Sequence, residues 1–294
     1  MTQKSDGLLL VDKPTGPTSF DVVAQVRRRL GVRKVGHAGT LDPMATGLLP
    51  VLVGEGTKLV PFLQGLDKTY CATVKLGAAT DTYDALGAIT AEAPDERVAA
   101  ITEQEVRTAL CPFVGHIQQR PPAYSALKRE GRRLYELARE GQEIAIEPRE
   151  IVVHAITLES MALPDLVITV CCGKGTYIRS IAHDLGSALG VHGHLSALRR
   201  TRVGPFDVAS SSDVFTDLAL PPLLPLAEAI SHLPAHIIDR DLAHRLRCGQ
   251  QQALAEILWP EGAAELRFLD GKGGLVAIAI EHGGQRSLAR VFGE

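Results

Sequence analysis

The stretch GHAGTLDPMATGLLP, Gly36 to Pro50, holds a single acid, Asp42, among small, apolar and hydroxyl-bearing residues. An aspartate before proline commonly makes an Asx turn and nothing more, so its surroundings decide what else it can do. Gly36 and Gly39 before it and Gly47 after it allow backbone to approach a ligand closely, and Pro43 stiffens the carrier. A stiff loop with one carboxylate suits a nucleophile. Such a carboxylate must stay ionised in a partly closed pocket, where desolvation raises its pKa, and an arginine partner offsets that rise. Arg179 in GKGTYIRS is the candidate, because it follows a tight glycine turn leading from a strand pattern into a helix pattern.

Other chemistries fit poorly. The chain contains no H-E-x-x-H, C-x-x-C or EF-hand loop, so no metal site is expected, and neither a G-x-x-x-x-G-K-S/T loop nor a G-x-S-x-G elbow occurs. DKPTGPT, Asp12 to Thr18, is similar to the Asp-Lys-Thr-Gly-Thr nucleophile of phosphoaspartyl enzymes, but Pro14 interrupts it. A phosphotransferase working through Asp12 with Mg2+ therefore remains an alternative, as does a non-catalytic RNA-binding protein. Five cysteines, two of them adjacent at Cys171 and Cys172, read as reduced and mostly buried thiols.

Positioning these groups takes a folded scaffold, and the composition supports one. The 294 residues are 45% hydrophobic and 22% charged, which suits a globular enzyme and argues against a disordered chain. No apolar run reaches the length of a signal-peptide core or a membrane span, so a cytoplasmic protein with no membrane partner is expected. The net charge of −3 gives no global attraction to nucleic acid. Basic clusters do occur, at Arg27 to Lys34 and from Lys174 to Arg202, and phosphate binding is the favoured reading of both.

The spacing predicts a strand over Gly7 to Val11, then a helix capped by Thr18 and Asp21 and ended by Gly31, with the Asp42 motif in the loop beyond. Further strands are predicted at Leu48 to Gly54, Thr69 to Gly77, Ile151 to Leu158 and Leu166 to Cys172. Helices are predicted at Glu103 to Leu110, Leu134 to Arg139 and Tyr177 to Leu189. Strands and helices mix without a βαβ rhythm, which indicates an α+β fold. A serine- and proline-rich break at Ser210 to Pro234 precedes a small, mostly β module.

The chain resembles the bacterial tRNA pseudouridine-55 synthase family, commonly called TruB, from Gly7 to the carboxy terminus. The resemblance rests on LLLVDKPTGPTSFDVV, VGHAGTLDPMATGLLPV, KTYCATVKLGAATDTYDALG, GKGTYIRSIAHDLG and HLSALRRTRVGPF, with QRPPAYSALKREGRRLYELAREG similar to the family's RNA-gripping insertion. It implies a mixed, largely antiparallel central sheet flanked by helices in a catalytic domain over residues 1–234, with the insertion at about 115–150. A PUA-like RNA-binding module would occupy 235–294. The implied activity is isomerisation of uridine to pseudouridine in the T-loop of tRNA, without cofactor, metal or guide RNA, by a monomer that grips the T-arm stem-loop. Asp42 would be the nucleophile, attacking uracil C6 or ribose C1′. Tyr70 would stack on the uracil and assist proton movement, and Arg179 would pair with Asp42 in a charge network completed by Asp84. His37 would fill the stack left by the flipped base. Tyr177 and Leu198 would line the pocket, and Lys13 with Pro14 would brace its floor.

Overall fold

The structure, a computed structural model, describes residues 6–124, 128–129, 132–133 and 146–293. Its first strand, β1 (Gly7–Lys13), is buried along nearly its whole length. The helix α1 (Ser19–Leu30) opens on a capping box in which the Thr18 hydroxyl accepts from Asp21 N and the Asp21 carboxylate accepts from Thr18 N. It ends at Gly31, whose φ of 65° is the left-handed cap that glycine adopts freely. Val22, Val23 and Val26 turn its apolar face onto the sheet.

Next come β2 (Val35–His37), β3 (Thr46–Val53) and β4 (Lys68–Leu76). The main sheet runs in the order β1, β3, Gly193–Val203, β4, Asp165–Cys172, Arg149–Ala162, Gly115–Gln119, with β2 and Phe206–Asp207 added beside β3 and Gly193–Val203. Every pairing is antiparallel except that of Gly193–Val203 with β3, which is parallel. This is the mixed, largely antiparallel α+β sheet expected. On β4, Tyr70, Ala72, Val74 and Leu76 share the buried face, as period-two alternation requires.

Several local expectations need correction. Gly193–Val203 has no strand signal in its sequence, yet it lies at the centre of the sheet between β3 and β4. Its inward row contains Arg200, which disguises the alternation. Gly36 and His37 belong to β2 rather than to the loop, and the strand predicted at Ile151 to Leu158 extends over Arg149–Ala162. Of the five cysteines only Cys172 is buried, while Cys111 and Cys248 are exposed, because a strand sends adjacent residues to opposite faces and the other two positions lie near surface helix ends. The helix predicted at Leu134 to Arg139 lies outside the described residues.

A second, four-stranded sheet begins at Ala235 and carries the helix Arg240–Arg247. It does not stand apart from the first. Leu275, Ile278 and Phe292 share one buried cluster with Leu8, Leu59, Leu63 and Ile230, and Lys58 Nζ donates to Val291 O at 2.7 Å. Among the described residues no helix is long and apolar enough to cross a membrane.

One glycine sets the sheet's central seam. Gly47 has φ of 101°, and a Cβ there would lie 2.3 Å from Arg200 O and 2.8 Å from Arg200 N on the neighbouring strand. Gly47→Ala is therefore expected to cost at least the ~1–3 kcal/mol of a strained backbone position. A urea unfolding midpoint equal to that of the wild type would refute this close approach.

Candidate active site

Asp42 sits in the loop between β2 and β3, and that loop is held from several sides. Lys13 is fully buried, and its ammonium donates to Pro14 O at 2.9 Å, Pro43 O at 3.2 Å and Ala45 O at 2.6 Å. Three donors meet three carbonyls, two of them on the Asp42 loop. Burial lowers the Lys13 pKa to about 8, with Asp42 opposing the fall. On the α1 side, Ser19 Oγ accepts from Leu41 N at 2.9 Å and donates to Leu41 O at 3.1 Å. Thr15 Oγ1 donates to Met44 O at 2.9 Å and Gly16 N to Pro43 O at 2.9 Å. Arg200 completes the frame, donating from Nε to Leu48 O at 2.7 Å and from Nη2 to Gly39 O at 3.0 Å.

The Asp42 carboxylate leaves this frame towards Arg179, whose Nε lies 3.0 Å from Asp42 Oδ2. The same guanidinium reaches Asp84 Oδ2 through Nη1 at 3.3 Å, and it also donates to Thr82 O at 3.1 Å and Tyr124 O at 2.9 Å. Asp84 is itself buried and accepts from Thr82 Oγ1 at 2.7 Å and Leu86 N at 3.0 Å. One buried cation thus bridges two carboxylates. Burial pushes the carboxyl of Asp42 above its ordinary value, Arg179 pulls it back, and Asp84 adds to the rise. The arginine offsets this rise only in part. The Asp42 side chain remains 38% exposed, so its free face opens onto a cavity.

That cavity, of about 310 Å³, brings together Asp42, Tyr70, Tyr177, Arg179 and Leu198. A larger one of about 940 Å³ lies against the second sheet around the 270–274 turn, and its Asp270 is engaged by Arg247 at 3.3 Å and by the backbone N–H groups of Lys272 and Gly274. The chemistry of the lining, and not size, marks the site. Tyr70 is buried, which raises its phenol pKa against the opposing charge of Arg200 and keeps the hydroxyl protonated. His37 is placed differently: it lies on β2 and does not line the cavity, and its Nδ1 is buried without a hydrogen-bond partner. Burial, then the charge of Arg200, lowers its pKa and favours the neutral ring.

Sequence reasoning missed Arg200 and Lys68 as members of this site. Both line the cavity and both are buried, Arg200 at 1% exposure. Lys68 Nζ donates to Gln64 O at 2.7 Å and Leu66 O at 2.5 Å, and burial lowers its pKa to about 8. A usable signal existed for Lys68, which stands two residues before Tyr70 and so shares its face of a strand. The phosphate-binding reading of the basic clusters is correspondingly reduced. Arg179 and Arg200 are interior, Arg199 makes a two-pronged pair with Asp12, Lys34 pairs with Glu55, and Arg27 and Arg29 donate to backbone carbonyls. Asp12, held in that pair, does not line the cavity that Asp42 faces.

The family model described as "TruB family pseudouridylate synthase (N terminal domain)" matches residues 27–178, and "tRNA pseudouridylate synthase B C-terminal domain" matches residues 179–220. Among similar curated proteins, a tRNA pseudouridine synthase B from Syntrophus aciditrophicus is 44% identical over 287 residues, covering 93% of this chain and 90% of that protein. Another from Geobacter sulfurreducens is 46% identical over 251 residues, covering 83% and 82%. A chain in the crystal structure of a Cbf5-Nop10-Gar1 complex superposes with a TM-score of 0.73 at 27% identity, covering 98% of this chain and 84% of that one. With a framed aspartate, a buried arginine partner and this breadth of similarity, the chain belongs to the TruB family of pseudouridylate synthases.

Proposed function

We propose that this chain isomerises uridine to pseudouridine in the T-loop of tRNA, with Asp42 as the nucleophile. It works as a cytoplasmic monomer without guide RNA, through a catalytic domain over residues 1–234 and an RNA-binding module over 235–294. The observation that carries the reading is the Asp42 carboxylate, 3.0 Å from Arg179 Nε, at a cavity walled by Tyr70. The curated relatives named tRNA pseudouridine synthase B support tRNA as substrate.

The reaction breaks the N1–C1′ glycosidic bond, rotates the uracil and forms C5–C1′, releasing the C5 proton to solvent while N1 takes up a proton. The composition of the nucleotide is therefore unchanged. Asp42 adds to uracil C6 or ribose C1′ and is expelled again, so it must be ionised at the start. Arg179 supplies the nearby positive charge that favours that state. Tyr70 offers an apolar ring face to the base and a protonated hydroxyl close to the departing proton. A uridine stacked in a folded loop must be flipped out before it can enter, and the neutral ring of His37 is suited to the vacated stack. Tyr177 and Leu198 confine the base. Lys13, through Pro14, Pro43 and Ala45, keeps the nucleophile's backbone from yielding as the base turns.

Tritium release from [5-³H]uridine tRNA with purified protein and no additive tests the activity. Asp42→Asn should lower release by roughly 10⁴-fold or more while tRNA binding is kept, because the amide retains shape and loses nucleophilicity. Release near the wild-type rate would remove Asp42 from the mechanism.

A second expectation concerns pH. Arg179 lowers the Asp42 pKa, so Arg179→Met raises it, and the carboxylate is then lost at a higher pH as acid is added. The acidic limb of the single-turnover rate should move to higher pH. Arg179→Lys should fall between the two, since lysine keeps the charge without the forked geometry. An unmoved limb in the methionine variant would show that another group ionises the nucleophile.

A further inference from the structure

The helix that carries Arg179 starts without a side-chain cap. It spans Ile178–Ala188, and its N-cap residue, Tyr177, makes no side-chain capping bond. Behind it lies the turn Gly173 to Thr176, in which Lys174 and Gly175 are exposed and Gly175 has φ of 85°. Within that turn Thr176 Oγ1 donates to Gly173 O at 3.1 Å and its side chain also bonds Cys172, while Gly173 N donates to Val152 O at 2.9 Å. Yet Arg179 stands only two residues into the helix and must meet Asp42 and Asp84 together.

The missing support comes from another strand. Gln119, the last residue of Gly115–Gln119, is 3% exposed. Its side-chain amide accepts from Tyr177 N at 2.8 Å and donates from Nε2 to Tyr177 O at 3.0 Å. Both backbone groups of one residue are thereby pinned by one planar amide, as a β-ladder neighbour would pin them. The residues after Gln119 continue the lacing. Ser180 Oγ donates to Arg120 O at 2.9 Å, and Arg179 Nη2 donates to Tyr124 O at 2.9 Å. The six residues from Gln119 to Tyr124 thus hold positions 177, 179 and 180.

We infer that Gln119 is a positioning residue for the reaction: its amide fixes Tyr177 and so sets the reach of Arg179 to Asp42. The inference rests on the proposed isomerisation for its rate readout. Gln119 touches neither Asp42 nor Asp84, and it is not part of the cavity lining. Its effect on the ionisation of Asp42 must therefore pass through Arg179. The charged groups facing Asp42 are Arg179 from the helix, Asp84 from the turn between the strands Ala78–Thr80 and Ile89–Glu92, and Lys13 from β1, and of these Gln119 adjusts only the first.

The test is a double-mutant cycle on full-length protein with Gln119→Met, which keeps the volume and removes both hydrogen bonds. Single-turnover tritium release should fall about tenfold, the scale of one or two net hydrogen bonds, with tRNA affinity unchanged. The acidic limb of the rate should move to higher pH, as in Arg179→Met but by less. In the Arg179→Met background the added substitution should have no further effect. Should Gln119→Met fail to fold by thermal melting, Gln119→Glu, which keeps an acceptor for Tyr177 N, serves in the same cycle. A loss that persists undiminished without Arg179, an unmoved acidic limb, or an unchanged rate would overturn the positioning role. A wild-type protein that releases no tritium would instead overturn the functional reading, and NMR titration of Asp42 in the Gln119 variant would then still decide the positioning claim.

Discussion

A carboxylate that is to act as a nucleophile must be partly stripped of water without picking up a proton, and the rest of this structure depends on that constraint. Desolvation alone drives Asp42 towards the neutral acid. The counterforce is one guanidinium, itself buried, which is acceptable inside a protein only because Asp84, Thr82 O and Tyr124 O satisfy its other edges. Removing one partner of such a buried pair commonly costs about 3–5 kcal/mol, so the network is a structural commitment as well as the centre of the proposed chemistry.

The fold serves this network by fixing each member from a different element. Asp42 comes from the loop after β2, Asp84 from the turn between the strands Ala78–Thr80 and Ile89–Glu92, and Arg179 from the first turn of a helix. Lys13, Ser19 and Arg200 tie the Asp42 loop to β1, α1 and the central strand. Those ties demand that β3 and Gly193–Val203 lie unusually close, which Gly47 permits by having no side chain. Buried cations recur at every joint. Lys13, Lys68 and Arg200 each spend hydrogens on backbone carbonyls and, among the described residues, form no ion pair.

Much of this was legible in the sequence where the signal is local. The Thr18 to Asp21 capping box, the Gly31 terminator and the alternation from Tyr70 to Leu76 each follow from short-range rules, and each has its physical counterpart in the structure. Asp42 and Arg179 could be paired on chemical grounds, as a desolvated carboxylate in need of a cation. What was not legible depends on distant partners. Arg200 reads as a surface charge because its compensating carbonyls, at Gly39 and Leu48, lie some 150 residues earlier. That one inward-facing arginine also hid the central strand. Gln119 offers no signal at all, since a buried amide becomes meaningful only when the backbone groups it pins are known.

The central claim, that Asp42 is a desolvated carboxylate governed by Arg179, is tested most directly by titrating it. Protein labelled with ¹³C at the aspartate carboxyl carbons, with the Asp42 signal assigned by its loss in Asp42→Asn, gives the pKa without reference to turnover. The account predicts a value above the ordinary ~3.9 of aspartate, and a further rise in Arg179→Met. An ordinary value that does not respond to loss of Arg179 would contradict it.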